Sequence, residues 1–239
     1  YSDANISEEA ISQEQLDASV AIIKSSNSTS STPYLDYLEE VENKFGNNYL
    51  KAGDKSSAVA VGGYPVYDGT GKQIENLVPI KGNPYSAKTD VSLFMGRSSV
   101  AYTFDNVKAG RYHLELEYAV PETFAAAALV GVGINGEKLF TEADTVVLPL
   151  EYEDNVSYNE DGTKNFNEYQ TKYFDQMSPN VTRYIHEEHG VWTKQLLHET
   201  TYATSDPLIF EISPNNDGKA VVSLENKGGE YFYIGKLNL

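Results

Sequence analysis

From Ser98 to Val120 the chain alternates apolar and polar residues twice, across one glycine-containing turn. Val100, Tyr102 and Phe104 fall on one side of the alternation, and after Lys108-Ala109-Gly110 so do Tyr112, Leu114, Leu116 and Tyr118. Successive strand residues point to opposite faces, so the pattern predicts a β-hairpin with one face to bury. Its other face, Arg111, His113, Glu115 and Glu117, is expected to stay in water and to serve as scaffold rather than site.

Further short extended runs follow the same punctuation by Gly, Pro and Asn. They cover 57–66, 128–140, 145–152, 191–199, 208–212, 219–225 and 231–239. Asn135-Gly136 and Asp217-Gly218 are hairpin signals, because both central residues of a type I′ turn need positive φ. Many short strands with such turns predict an all-β fold, a β-sandwich or jelly roll. The stretch 153–190 breaks the rhythm. It is rich in Asn, Asp, Glu and Tyr, and a loop of that length is expected to carry a binding site.

Ahead of the strands, two helices are expected. Residues 6–24 place Leu16, Val20 and Ile23 at i, i+4 and i+7, with Ser7 as N-cap, a narrow stripe for a loosely attached helix. The polar run 25–32 reads as a flexible linker. Thr32 as N-cap, Pro33 in the first turn, an apolar face of Tyr34, Tyr37, Leu38, Val41 and Phe45, and Gly46 as stop predict a second helix docked on the strands. The division is therefore residues 1–32, helix and linker, and 33–239, the β domain.

Charge narrows the partners. Asp and Glu number 35 against 18 Lys and Arg, a net charge of -17, which repels phosphate backbones and anionic lipid. Nucleic acid is thus not an expected partner, and no apolar run is long enough for membrane insertion. With no cysteine there are no disulfides or thiolate nucleophiles, which fits an exported bacterial protein that does without disulfides. No signal peptide precedes Tyr1, so a secreted protein is expected here in mature form or as an excised piece.

Several motifs carry candidate chemistry. Gly131-Val132-Gly133-Ile134-Asn135-Gly136 has dinucleotide spacing, but the run after it reads as a strand where that fold needs a helix. Ser157, Asn159, Asp161, Gly162, Thr163, Asn165 and Glu168 follow the spacing of a calcium loop, so a structural calcium held by Asn159, Asp161 and Glu168 is one reading and a solvated turn the other. His186-Glu187-Glu188-His189 has its histidines three apart, not the four of a zinc helix. Trp192, the only tryptophan, begins a strand run directly after the long stretch. A sugar offers an apolar C–H face to a ring and hydroxyls to polar groups at its edge. The expected ligand site is Trp192 with Tyr184 or Tyr173 as a second platform and Arg183, His189 and Lys194 bonding hydroxyls; the other reading makes Trp192 a core anchor.

The order of the tyrosine-rich helix (34–38), Ala101-Tyr102-Thr103-Phe104-Asp105-Asn106-Val107 with Ala109-Gly110-Arg111-Tyr112, Ile134-Asn135-Gly136-Glu137, and the closing Tyr231-Phe232-Tyr233-Ile234-Gly235-Lys236-Leu237 resembles a galactose-binding-like jelly roll. More narrowly it is similar to the N-terminal jelly-roll domain of some extracellular solute-binding proteins of Gram-positive bacteria, and in style to starch-adherence modules of gut Firmicutes. The resemblance implies a non-catalytic carbohydrate-binding module of a larger secreted or cell-surface protein. Its expected ligand is a neutral polysaccharide or oligosaccharide, α-glucan first. It implies no cofactor, save that the family often carries a structural calcium. A jelly-roll glycoside hydrolase or lyase and a cell-surface protein-interaction module are the alternatives.

Overall fold

The computed structural model describes residues 12–55, 59–61, 92–94, 96–120, 128–150, 152–154, 157–158, 160–161, 164–165, 188–190, 192–198 and 206–239. Two helices come first, α1 (Gln13–Asn27) and α2 (Tyr34–Phe45). Strands β1 (Asp54–Lys55), β2 (Val59–Val61), β3 (Ser92–Phe94) and β4 (Ser99–Phe104) follow. Next are β5 (Gly110–Tyr112), β6 (Glu115–Ala119), β7 (Ala128–Ile134) and β8 (Val146–Leu148), with a 3-10 turn at Thr141–Asp144 between the last two. Within the stretch expected to be irregular lie β9 (Tyr152–Asp154), β10 (Ser157–Tyr158), β11 (Lys164–Asn165) and β12 (Glu188–Gly190). The chain closes with β13 (Thr193–Leu196), β14 (Phe210–Ile212), β15 (Ala220–Asn226) and β16 (Phe232–Asn238).

The protein is β-rich, and its strand pairs are antiparallel. One five-stranded sheet runs β1-β16-β6-β13 with β3 also on β16; another runs β2-β4-β15-β7-β8. Both sheets feed one apolar cluster, which holds Phe94, Leu116, Tyr118, Phe232 and Ile234 of the first beside Tyr102, Phe104, Val132, Val222 and Leu224 of the second.

The expected hairpin over 98–120 does not form. Strand β4 pairs with β2 and β15, whereas β5 pairs with β14 and β6 with β16 and β13. Each half of the stretch has its own apolar row; placing the halves in different sheets lets the two rows meet as one core. The crossing is fixed locally, with Asn106 at φ 56, Val107 N–H on the Gly218 carbonyl at 2.8 Å, and the Tyr112 hydroxyl donating to the Lys108 carbonyl at 2.7 Å. The face expected to be wet is also partly buried, since Arg111 is 1% and Glu117 5% exposed.

Helix α2 matches its apolar stripe, with Tyr34, Tyr37 and Val41 buried and Gly46 ending it at φ 67. Both phenols accept from the strand behind them, Tyr34 from the Ile209 N–H at 3.0 Å and Tyr37 from the Glu211 N–H at 2.5 Å. Both rings pack on Phe140, at 4.8 and 4.9 Å between centroids. Asn135-Gly136 forms the two-residue turn expected of it, at φ 49 and 87. Asp217-Gly218 turns differently. Only Gly218 has positive φ, and the Asn215 side-chain oxygen accepts the N–H groups of Asp217 and Lys219.

Helix α1 is seated rather than loose. Its Ser12–Gln15 capping box is complete, and the face that packs is Ala18, Ala21, Ile22 and Ser25, which join Ala101 and Val221 of the second sheet. The stripe of Leu16, Val20 and Ile23 is exposed. Small residues win because the sheet surface below is glycine. A Cβ on Gly133 would meet the Ser223 hydroxyl and lie 2.5 Å from the Ser25 Cβ, and one on Gly136 would lie 2.9 Å from the Lys24 Cβ. The glycine run with dinucleotide spacing is thus a helix seat. Nor is the Ser/Thr run free: Ser30 Oγ donates to the Leu139 carbonyl at 3.4 Å, and the Thr141 N–H donates to the Thr32 carbonyl at 2.8 Å. Gly133→Ala is expected to destabilise the protein by about 1–3 kcal/mol through overpacking under α1. Urea unfolding checks this, and an unchanged midpoint contradicts the seat.

Candidate functional site

Tyr173, Arg183, Tyr184, Asn159 and Glu168 lie outside the described residues. The backbone of His189 is in β12, opposite Glu153 of β9. Asp161 is exposed in the turn between β10 and β11. In that pair Ser157 is opposite Asn165, the first and ninth positions of the calcium-loop spacing. Among the described residues no three His, Asp or Glu side chains group as a metal site. Trp192 is half-buried and Lys194 exposed.

Register shows what surrounds Trp192. Thr193 is opposite Tyr118, and Lys194 opposite Glu117; on β6, Tyr118 is in turn opposite Ile234, and Ala119 opposite Tyr233. Tyr118 and Ile234 are core residues. Alternation therefore puts Lys194, Glu117, Ala119 and Tyr233 on the other face of the sheet, and continuing it by one residue places Trp192 at the level of the Ala119–Tyr233 pair. Trp192 and Tyr233 thus flank Ala119, which is itself buried, and exposed Lys194 and buried Glu117 form the next row. Tyr231 extends the aromatic side, edge-on to Tyr233 at 6.0 Å, and is exposed. Burial, then the neighbouring Tyr231, raises the Tyr233 phenol above its ordinary 10.0. Sequence reasoning missed Glu117 and Tyr233. The signal for Tyr233 was its alternation against Phe232.

A second grouping surrounds the buried Arg111. Its guanidinium carbon lies 4.4 Å from the Tyr49 ring centroid, the His113 ring stacks on Tyr49 at 4.2 Å, and the Glu42 carboxylate is 3.9 Å from Nη1. Tyr49 is held by its bridge to Arg111 and the Leu50 N–H on the Arg111 carbonyl at 2.8 Å. His113 Nδ1 is 3.1 Å from the Leu208 carbonyl, so that nitrogen carries the proton. Arg111 Nε and Nη1 have no hydrogen-bond partner among the described residues. A buried cation compensated only in part is costly, and a well-packed apolar isostere often does as well or better. Arg111→Met is accordingly expected to keep or raise the unfolding midpoint. A loss of more than about 2 kcal/mol would show instead that the ion pair stabilises the fold.

A third polar grouping is closed on itself. Buried Lys138 is bonded to Asp144 and lies 3.6 Å from Glu225, while Lys227 is 3.3 Å from Asp144 and 3.7 Å from Glu225. Burial would raise the Asp144 carboxyl, but the hydrogen bonds and charges of Lys138 and Lys227 outweigh it and hold the group below its ordinary 3.8. A depressed carboxyl contributes stability above its unfolded value, and the contribution is lost as pH falls through the folded one. Asp144→Asn is expected to be less stable than wild type at pH 7, with the gap closing on acidification below about 3.8. A gap constant with pH in thermal melts would contradict this.

No protein-family model matches the chain, and no curated protein matches it. Among solved structures it is similar to a family GH115 4-O-methyl-α-glucuronidase with specificity for decorated arabinogalactans, at 11% identity and a TM-score of 0.34. The match covers 81% of this chain and 18% of that enzyme, so the chain spans less than a fifth of the solved protein's length.

Proposed function

We propose that the chain is a non-catalytic carbohydrate-binding module of a larger secreted or cell-surface bacterial protein. In this reading the two five-stranded sheets are the layers of a galactose-binding-like jelly roll, and the ligand is a neutral glycan, α-glucan first.

The observation that carries the reading is the row formed by Trp192, Ala119 and Tyr233 on the face of the first sheet turned away from the shared core, where the two rings are half-buried and Ala119 is covered. Two strand spacings, about 9–10 Å, separate the aromatic positions, which is the scale of a disaccharide. A pyranose C–H face meets each ring, and Lys194 supplies an exposed donor to hydroxyls at the edge. Tyr173, Tyr184, Arg183 and His189 would complete the site from the chain preceding β13. A net charge of -17 favours a neutral polymer over a polyanion. Shallow stacking buries little area, so the affinity is weak.

Titration calorimetry of wild type and Trp192→Ala against soluble starch, mannan and xylan tests the reading. Saturable heat with one neutral glycan and a loss of at least about tenfold in the variant are expected. Absence of heat with every glycan, or an equal constant in the variant, would overturn it. The second reading, a jelly-roll glycoside hydrolase, is favoured by Glu115 and Glu117 sharing one face of β6, because such chemistry needs two carboxylates. Release of reducing ends from the same glycans would select it.

A further inference from the structure

The second sheet has an outward face of its own, and α1 covers it only in part. Beside the helix is a cavity of about 390 Å³, within the size range of small-molecule sites. One wall is Asp17, Val20, Ala21 and Lys24 of α1; the floor is Thr103 and Val221, which are register partners on β4 and β15; Asn135 and the 213–219 turn close the far side.

The polar groups of this cavity are mostly donors without work to do. Thr103 is 6% exposed and its hydroxyl has no hydrogen-bond partner among the described residues, an unusual state for a buried polar group. Lys24 has no acid partner among the described residues. Lys219 has only Asp105, at 3.9 Å, and Asp105 is also approached by Lys55 at 3.5 Å. Asn215, which lines the space, gives its side-chain oxygen to the N–H groups of Asp217 and Lys219, and its NH₂ donors have no partner among the described residues. Each acceptor side chain already takes one hydrogen bond. Asp17 takes the Gln13 amide at 2.7 Å, and Asn135 takes the Val221 N–H at 2.8 Å while giving its own amide to the Ser213 carbonyl at 2.8 Å. Two lysines and one aspartate line the cavity, and with Asp105 and Lys55 behind Lys219 the group holds three lysines against two aspartates, a locally positive balance on a strongly acidic protein.

We propose that this cavity binds a monomeric sugar acid. The carboxylate would lie between Lys24 and Lys219, hydroxyls would accept from Asn215 and Thr103, and the carbon face would rest on Val20, Ala21 and Pro214. The site is on the other sheet from Trp192, and the proposal does not depend on the glycan reading. A monomer is specified because the net charge of the chain repels a polyanion but leaves a single carboxylate to the local field of the two lysines.

The test is an NMR titration of the full chain with D-galacturonate, using D-galactose as the neutral control and the resonances of Val20, Ala21 and Thr103 as reporters. Saturable shifts with the acid and none with the neutral sugar are expected. Lys24→Gln with Lys219→Gln should weaken binding at least about tenfold. Thr103→Val should weaken it severalfold while leaving the melting temperature unchanged or higher, because it removes an unpaired hydroxyl in place of a bonded one. Trp192→Ala should leave it unchanged. Equal shifts with both sugars, no saturation with galacturonate, or full affinity in the double lysine variant would each overturn the proposal.

Discussion

The Tyr102 hydroxyl donates to the Gly235 carbonyl at 2.8 Å, and that bond ties the two sheets across their shared apolar cluster. It works because of a fault in β16. The register of β16 against β6 shifts between Ile234 and Leu237, and the Tyr102 phenol supplies a donor to the Gly235 carbonyl within that interval. A Cβ at Gly235 would lie 3.2 Å from the Glu117 carboxylate, which is buried alongside. Burial, and then the charge of Glu117, pushes the Tyr102 phenol well above its ordinary 10.0, so the hydroxyl keeps its proton and remains a donor. The irregularity adjoins the rows that carry Glu117 with Lys194 and Ala119 with Tyr233. Bulges commonly re-aim side chains beside functional sites, and here the same few residues that join the sheets also shape the proposed glycan surface.

The second constraint is close approach. Glycine at 133 and 136 lets α1 lie directly on the sheet, and the helix answers with Ala18, Ala21 and Ser25, the last sharing a hydrogen bond with Ser223 at 2.9 Å. An ordinary amphipathic helix buries most of its large residues; this one buries Ile22 between small residues and turns Leu16 and Ile23 outward. The price of the tight seat is an incomplete one, since the helix leaves the cavity over Thr103 unfilled.

Much of the fold was legible. Period-two alternation located β4, β6, β15 and β16, and the residue chemistry of Gly46 and Asn135-Gly136 located the end of α2 and one turn, because those signals are local; α2 starts one residue later than expected, with Pro33 and not Thr32 at the N-cap. Pairing was not local and misled: an alternating stretch with a turn in it looks the same whether its halves pair or part into two sheets. Burial of polar residues was equally hidden. Arg111 and Glu117 sit at wet positions of the alternation, and only tertiary neighbours such as Tyr49 and Gly235 make those positions dry. At the candidate site, Trp192 and Lys194 were singled out from their residue types, while Tyr233 came to them through β6, over forty residues away in sequence and adjacent only in register.

Because Trp192 is the only tryptophan, its fluorescence reports on the proposed glycan surface without interference. Titration of the intact chain with maltoheptaose, followed by the emission maximum and by protection from acrylamide quenching, tests the central claim most directly. Stacking of a sugar ring on the indole predicts a saturable blue shift and reduced quenching, with a midpoint matching that found by calorimetry. An emission spectrum and quenching constant indifferent to maltoheptaose and to every other glycan that the chain binds would contradict the placement of the site at Trp192.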